Sequence, residues 1–165
     1  MKSEQTIILL RHGESADKQP GQPDFERMLT DRGRRSIEQL ALELSGKKIF
    51  PDSILSSDAV RAVQTTQAVL SACSALSPYI LYNHDLFHGM DDVYLDAVVN
   101  LDKPMKRLMV VGHNPSISSF IGKLTGNYKV SLHPGQAALI HFHDGTDFKS
   151  IAGAGVLEGL IGPFL

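Results

Sequence analysis

The chain is nearly free of cysteine, with one, Cys73, in 165 residues. A lone thiol cannot close an internal disulfide, so nothing points to an oxidising compartment. Cys73 sits in an apolar helical stripe and is read as a buried structural thiol. Long hydrophobic runs are also lacking: none approaches the roughly 18 apolar residues that a membrane helix needs. The first residues, Met1-Lys2-Ser3-Glu4-Gln5, show no basic region followed by an apolar stretch long enough for a signal peptide. Charge of one sign is lacking too. The formal net charge of −2 argues against nucleic-acid binding through a large basic patch. It leaves room for a local positive pocket. There are no internal repeats, low-complexity tracts or linkers. The expectation is a soluble, cytoplasmic, monomeric chain that folds as one domain over residues 1–165. Its hydrophobic content of 42% is enough for a packed core.

What is present begins with Ile7-Ile8-Leu9-Leu10, an apolar run that delivers Arg11-His12-Gly13-Glu14 to the end of a strand. In an open α/β sheet the carboxyl ends of strands are where ligands sit. An arginine offers a planar fork that suits phosphate oxygens. A histidine beside it can attack phosphorus, and Gly13 lets the backbone approach a ligand closely. Taken alone, this is equally a surface Arg-His pair after an edge strand. Two further segments change that. Leu108-Met109-Val110-Val111 ends in Gly112-His113-Asn114-Pro115, where Asn114 and Pro115 read as N-cap and first helical residue. Ser53-Ile54-Leu55-Ser56 runs into a helix whose first turn carries Arg61. Arg-His, Arg and His thus arrive at three strand-to-helix passages far apart in the chain. Arg11 and Arg61 together would make the positive pocket.

Strand and helix signals alternate, which predicts α/β layering. Strands are expected at Thr6–Arg11, around Ile54-Leu55, at Tyr79–Tyr82 and at Arg107–Val111. Thr30 is placed to cap a helix buried through Ile37, Leu40, Ala41 and Leu44, with Gly46 at its exit. A second helix is expected from about Asp58 to Leu76, striped by Ala62, Thr66, Val69, Leu70, Cys73 and Leu76 and broken by Ser77-Pro78. A third is expected over Asp91–Leu101, capped by Asp91-Asp92, and a fourth after Pro115, ending near Gly126-Asn127. Ala137–Phe142 and Phe148–Ile151 read as a hairpin joined around Asp144-Gly145. The stretch Gly153–Leu165 is Gly-rich yet apolar and is expected to pack back onto the domain. The alternative is a dimer contact.

The set Arg11-His12-Gly13, Leu29-Thr30-x-x-Gly33, Ser56-x-x-x-x-Arg61-Ala62-x-Gln64-Thr65 and Gly112-His113-Asn114-Pro115 resembles the histidine phosphatase, or phosphoglycerate-mutase-like, superfamily. Short length and the sparse segment between motifs look most like its small phosphohistidine phosphatases of SixA type. The resemblance implies a three-layer α/β/α sandwich with a mostly parallel central sheet. It also implies a metal-independent phosphatase that works through a phosphohistidine intermediate on His12 and needs no cofactor. Arg11, Arg61, His113 and Gly13 would hold the phosphoryl group. The general acid of larger relatives would correspond to Asp85, which reads equally as a loop-capping aspartate. Glu14 is a second carboxylate near the nucleophile, or a residue facing solvent. After Glu14-Ser15 comes Ala16-Asp17-Lys18 rather than the Trp-Asn of the mutases, and the chain is too short for their lid. Both departures favour hydrolysis in an open, shallow site.

The implied substrate is a phosphorylated histidine on a phosphotransfer protein, in signal transduction. A small phosphoester of the same chemistry is the alternative, and a silent phosphate-binding module is the reading from another class. Nucleic acid and membrane partners are not expected. The remaining histidines have plainer readings. His84 and His88 are spaced for metal ligation on a helix, but Gly89 suggests a loop there. His141 and His143 share a strand face without an acidic partner and are expected to face solvent.

Overall fold

The computed structural model describes residues 4–102 and 105–165; of the amino-terminal residues read above, Met1 to Ser3 lie outside them. Six strands form one sheet: β1 (Gln5–Arg11), β2 (Ser53–Ser56), β3 (Tyr79–Tyr82), β4 (Arg107–Gly112), β5 (Ala137–Phe142) and β6 (Val156–Ile161), in the order β3-β2-β4-β1-β5-β6. β3, β2, β4 and β1 run parallel, and β5 and β6 add an antiparallel edge. Five helices pack on it: α1 (Asp31–Gly46), α2 (Val60–Ala72), the single turn α3 (Asp85–His88), α4 (Asp91–Val99) and α5 (Ser116–Thr125).

The period of two along each strand sends side chains to opposite faces. Ile8 and Leu10 of β1 and Met109 and Val111 of β4 meet Ile37, Leu40 and Leu44 of α1 and Ala62 and Val69 of α2. Ile7, Leu9, Leu108 and Val110 meet Tyr94 of α4 and Ile117, Phe120 and Leu124 of α5. Helices therefore cover both faces, and the layering is the expected α/β/α sandwich. This is why Ile7–Leu10 and Leu108–Val111 are uninterrupted apolar runs: a parallel strand covered on both sides has no solvent face to fill with polar residues.

Several boundaries differ from those expected. The backbone that turns left-handed after α1 is at Lys48, with φ 59°, two residues beyond Gly46. α2 stops at Ala72, well before Pro78. Leu76 therefore falls outside the helix and is exposed, and Cys73 is its half-buried C-cap. Residues around His84 and His88 form the turn α3 rather than a loop. Asn114 does not cap α5. The cap position is Pro115, while Asn114 spans from Ser118 to the Leu132 carbonyl. Asp91 and Asp92 occupy the first turn of α4 behind the cap residue Met90, and Asp91 accepts instead from Ser119. The partner of β5 is β6, not Phe148–Ile151, whose first three residues form a short 3-10 turn. The apolar carboxyl-terminal stretch thus packs back as an edge strand. β6 brings Glu158 to His141, so that histidine is half-buried and does have an acidic partner. Among the described residues no helix is long and apolar enough to cross a membrane.

Gly112, the last residue of β4, ties the core to the strand ends. A Cβ there would overlap the hydroxyl of Tyr94. That hydroxyl is fully buried, donates to the Leu86 carbonyl at 2.9 Å and accepts from the His113 N–H at 3.1 Å. Gly112→Ala should cost about 1–3 kcal/mol through overpacking, read as a lower denaturation midpoint. An unchanged midpoint would show that Tyr94 yields without strain.

Candidate functional site

Parallel pairing in register aligns Arg11 of β1 with Gly112 of β4. The next residue of each strand is a histidine, so His12 and His113 emerge side by side, ring centroids 5.2 Å apart. β2 lies on the other side of β4, and the Ser57 N–H donates to the Val111 carbonyl. Ser57, His113 and His12 therefore stand in a row along the carboxyl edge. The helix that follows β1, α1, and the helix that follows β4, α5, lie on opposite faces of the sheet, so the chain switches sides between these two neighbouring strands. This is the crevice where open α/β sheets bind ligands. An open pocket of about 370 Å³ lies there, lined by Arg11, His12, Glu14, Asp24, Arg61 and His113 among others.

His12 is held from both sides. Its Nδ1 lies 2.8 Å from the Gly13 carbonyl oxygen, which can only accept, so Nδ1 carries the proton. Its Nε2 lies 3.2 Å from Nε of Arg61, which can only donate, so Nε2 presents its lone pair. Burial, with the Arg61, Arg11 and Arg27 charges, pulls the His12 pKa down to about 4 against the opposing Gly13 carbonyl. Burial likewise draws His113 down to about 3, with His12 and Arg61 adding to the effect. His113 Nε2 is 2.8 Å from the Ser57 hydroxyl, which accepts from the Ala59 N–H. The Ser57 proton is then free for Nε2, leaving the imidazole proton on Nδ1. His113 Nδ1 and Arg11 Nε are both buried without a protein partner. Buried unpaired donors of this kind are rare and costly.

Arg61 enters from the first turn of α2 and is itself buried. Thr65, one turn on, accepts from the Gly13 N–H at 3.1 Å and donates to the Arg61 carbonyl, so the helix and the β1 loop are clamped together. Gln64 accepts from the Leu29 N–H and fixes the loop leading to α1. Arg11 reaches back to the Leu132 carbonyl at 2.9 Å.

The structure brings Arg11, His12, Gly13, Arg61 and His113 together, but not Asp85. That residue is exposed at the start of α3, where its N–H is bound by Asn83. It lines a separate groove with His84, His88 and Asp96. Glu14 borders the pocket, yet its carboxylate is taken by Arg32 and by the Thr30 hydroxyl, and these hold it below the usual carboxylate range. The carboxylate that does face the pocket was missed: Asp24, in a 3-10 turn over Asp24–Glu26. Its Oδ2 accepts from Arg61 at 3.0 Å and its Oδ1 from Arg27 at 3.1 Å. Burial pushes Asp24 up, but Arg27 and Arg61 outweigh it and keep it low. Ser57 was missed as well, although it stands inside the quoted Ser56-to-Arg61 motif. Its place two residues before a buried backbone N–H was the only available signal.

Residues 7–82 match the family model of the histidine phosphatase superfamily, branch 1. The fold resembles that of a protein named as a SixA phosphohistidine phosphatase from Agrobacterium tumefaciens, with a TM-score of 0.82, 25% identity and coverage of 96% of this chain and 98% of that one. It also resembles the protein histidine phosphatase SixA complexed with tungstate, with a TM-score of 0.81 at 22% identity, covering 96% and 97% of the two chains. A 69-residue stretch is 42% identical to the serine/threonine-protein phosphatase Pgam5, mitochondrial, of Drosophila yakuba, over 42% of this chain and 23% of that protein. The match thus spans under a quarter of that relative's length. The family match covers just under half of the chain and the likeness of fold nearly all of it. In size and architecture the chain resembles these proteins named as SixA phosphohistidine phosphatases.

The histidine geometry has a direct spectroscopic consequence. In long-range proton–nitrogen spectra at pH 6, His12 should appear neutral with its proton on Nδ1 and should titrate near pH 4. The unfolded histidine binds a proton near pH 6.5 and the folded one resists it. Stability from His12 is therefore intact above pH 6.5 and declines as pH falls from there toward 4. A protonated His12 at pH 6 would contradict the burial argument.

Proposed function

We propose that this protein is a metal-independent phosphatase that transfers a phosphoryl group to Nε2 of His12 and then to water. Its substrate in this reading is a phosphohistidine carried by another protein. The observation that supports the first step most is the two-sided restraint of His12: the Gly13 carbonyl keeps the proton on Nδ1, so Nε2 is the unprotonated nitrogen, and its bond from Arg61 would give way as the guanidinium turns its donors to the phosphoryl oxygens. Arg11, Arg61 and His113 stabilise charge on the equatorial oxygens, which is most of what phosphoryl transfer asks of a protein. The arginines supply the positive charge that a metal would otherwise bring. Arg11 Nε and His113 Nδ1, unpaired in the protein, would gain an acceptor in the phosphoryl oxygens. Bound phosphate also raises the pKa of both histidines, so His113 becomes a stronger donor in the complex.

Supporting the substrate is the state of the carboxyl groups. Glu14 and Asp24 are both ion-paired to arginines, and Asp85 lies in another groove. None is a protonated acid poised to assist an alkoxide leaving group. A phosphoimidazole protonated on its distal nitrogen needs no such acid. The P–N bond breaks, its electron pair returns to the ring nitrogen, and neutral imidazole departs as the P–Nε2 bond forms. Water then adds to phosphorus, both of its protons remain on the released dihydrogen phosphate, and the P–N bonding pair returns to Nε2 of His12.

His12→Ala and wild type, each given a phosphohistidine-bearing phosphotransfer domain and para-nitrophenyl phosphate without added metal, test the reading. Wild type should release phosphate from phosphohistidine through an acid-labile phosphoenzyme, and His12→Ala should not. Arg61→Ala should lose about 100- to 1000-fold in rate, the usual cost of one preorganised donor. Fast ester turnover with inert phosphohistidine would instead favour a small-molecule phosphomonoesterase. Bound phosphate with no turnover of either would mean a recognition module.

A further inference from the structure

Two phenylalanines stand beside the pocket, next to its lining residues Asp24, Arg61 and His113, with His84 and His88 packed on their other sides, and belong to neither hydrophobic core. Phe25 comes from the 3-10 turn that carries Asp24, and Phe87 from α3; both are half-buried. Their rings meet edge to face, centroids 5.1 Å apart at 82°. Phe87 is also edge-on to His113 at 5.5 Å, and Cζ of Arg61 lies 5.8 Å from its ring centre. The pair thus touches two of the residues that would hold the phosphoryl group. Beside it the Asp24 side chain remains 47% exposed. A carboxylate has about four acceptor positions, and Arg61 and Arg27 occupy one on each oxygen. Aromatic faces next to an ionised carboxylate suit a flat cation: the rings attract it through their quadrupole, and the carboxylate accepts its N–H.

Building on the proposed function above, we propose that Asp24, Phe25 and Phe87 form a leaving-group subsite for a planar cationic heterocycle, the protonated imidazole ring of phosphohistidine. The ring packs against Phe25 and Phe87, and its distal N–H donates to Asp24. That contact holds the proton on the nitrogen remote from phosphorus, where it makes the ring a good leaving group. A seryl or threonyl phosphate offers neither the ring nor the charge, so the same three residues set preference among phosphoryl donors.

Three small donors separate the elements of this subsite. Phosphoimidazole has ring and cation, protonated phosphoramidate has the cation alone, and para-nitrophenyl phosphate has the ring alone. The readout is kcat/KM for the full chain, which reports steps up to formation of the phosphoenzyme. Asp24→Asn also loosens Arg61 and should therefore slow all three donors, but phosphoimidazole and phosphoramidate should lose about tenfold more kcat/KM than the aryl ester, the order supplied by one charge-assisted hydrogen bond. Phe87→Leu should lower it about three- to tenfold on phosphoimidazole and the aryl ester and spare phosphoramidate. Equal losses on all three donors would mean that these residues only support the pocket's shape, and no loss on any would mean that the leaving group departs elsewhere; either overturns the subsite. Wild type that hydrolyses the aryl ester but not phosphoimidazole would remove the phosphohistidine reading itself, and the subsite with it.

Discussion

The parallel pairing of β1 with β4 is the constraint on which the site depends. Register matches Arg11 to Gly112, and the His12 N–H continues the ladder by donating to the Gly112 carbonyl at 3.1 Å. Two histidines a hundred residues apart in the chain are thereby set within ring contact by backbone hydrogen bonds alone. A slip of one residue would turn every side chain of the strand to the other face. Because Ile7–Leu10 is apolar on both faces, such a slip would only exchange residues between the two cores, but it would send His12 away from His113. The site is therefore more sensitive to register than the layers are, and the backbone pairing itself aims the histidines.

Around that pair the protein concentrates positive charge and then offsets it unevenly. Arg61 reaches Nε2 of His12 with one edge of its guanidinium and Asp24 with the other. The contact with Asp24 lowers the cost of burying Arg61, because a buried charge without a partner is expensive. It also fixes the plane of the guanidinium, so the Nε–H points at His12 rather than sweeping through rotamers. Arg11 has no such carboxylate and rests on a main-chain carbonyl. An incoming phosphoryl group therefore meets one arginine whose charge is partly spent on a neighbour and one whose charge is fully available. The two are not equivalent in their surroundings, whatever their symmetry in the motif.

The strands and the four residues at their ends were legible in the sequence because both depend on local pattern. Ile7–Leu10 and Leu108–Val111 read as strands, and Arg11, His12, Arg61 and His113 follow strand or open helix within a few residues. Features set by long-range closure were not legible. Asp24 meets Arg61 across 37 positions through the path of a loop, and no periodicity marks it. Asp85 was singled out by the resemblance to larger relatives, but it opens the turn of α3 and lines the neighbouring groove. β6 was missed because it is an edge strand of half-buried residues interrupted by Gly159, which weakens the alternation that identifies a strand. Lys48 takes the left-handed position expected of Gly46, since the helix runs to Gly46 and the turn falls beyond it.

Openness follows from the same economy of elements. The turn α3 and the loop bearing Asp24 stand near His12 and meet through Phe25 and Phe87, while Glu14, Ser15 and Pro134 line the other side of the pocket. A deep pocket would need a further layer to exclude water and enclose a small substrate. With so little wall, binding energy must come from the phosphoryl oxygens and from whatever surrounds the substrate's reacting group outside the pocket. A phosphorylated side chain that projects from a folded partner suits this geometry, because the partner's own surface can shield the site while its ring enters between the rim and His12. In the proposed reading, such a substrate would complete the enclosure that the open site lacks.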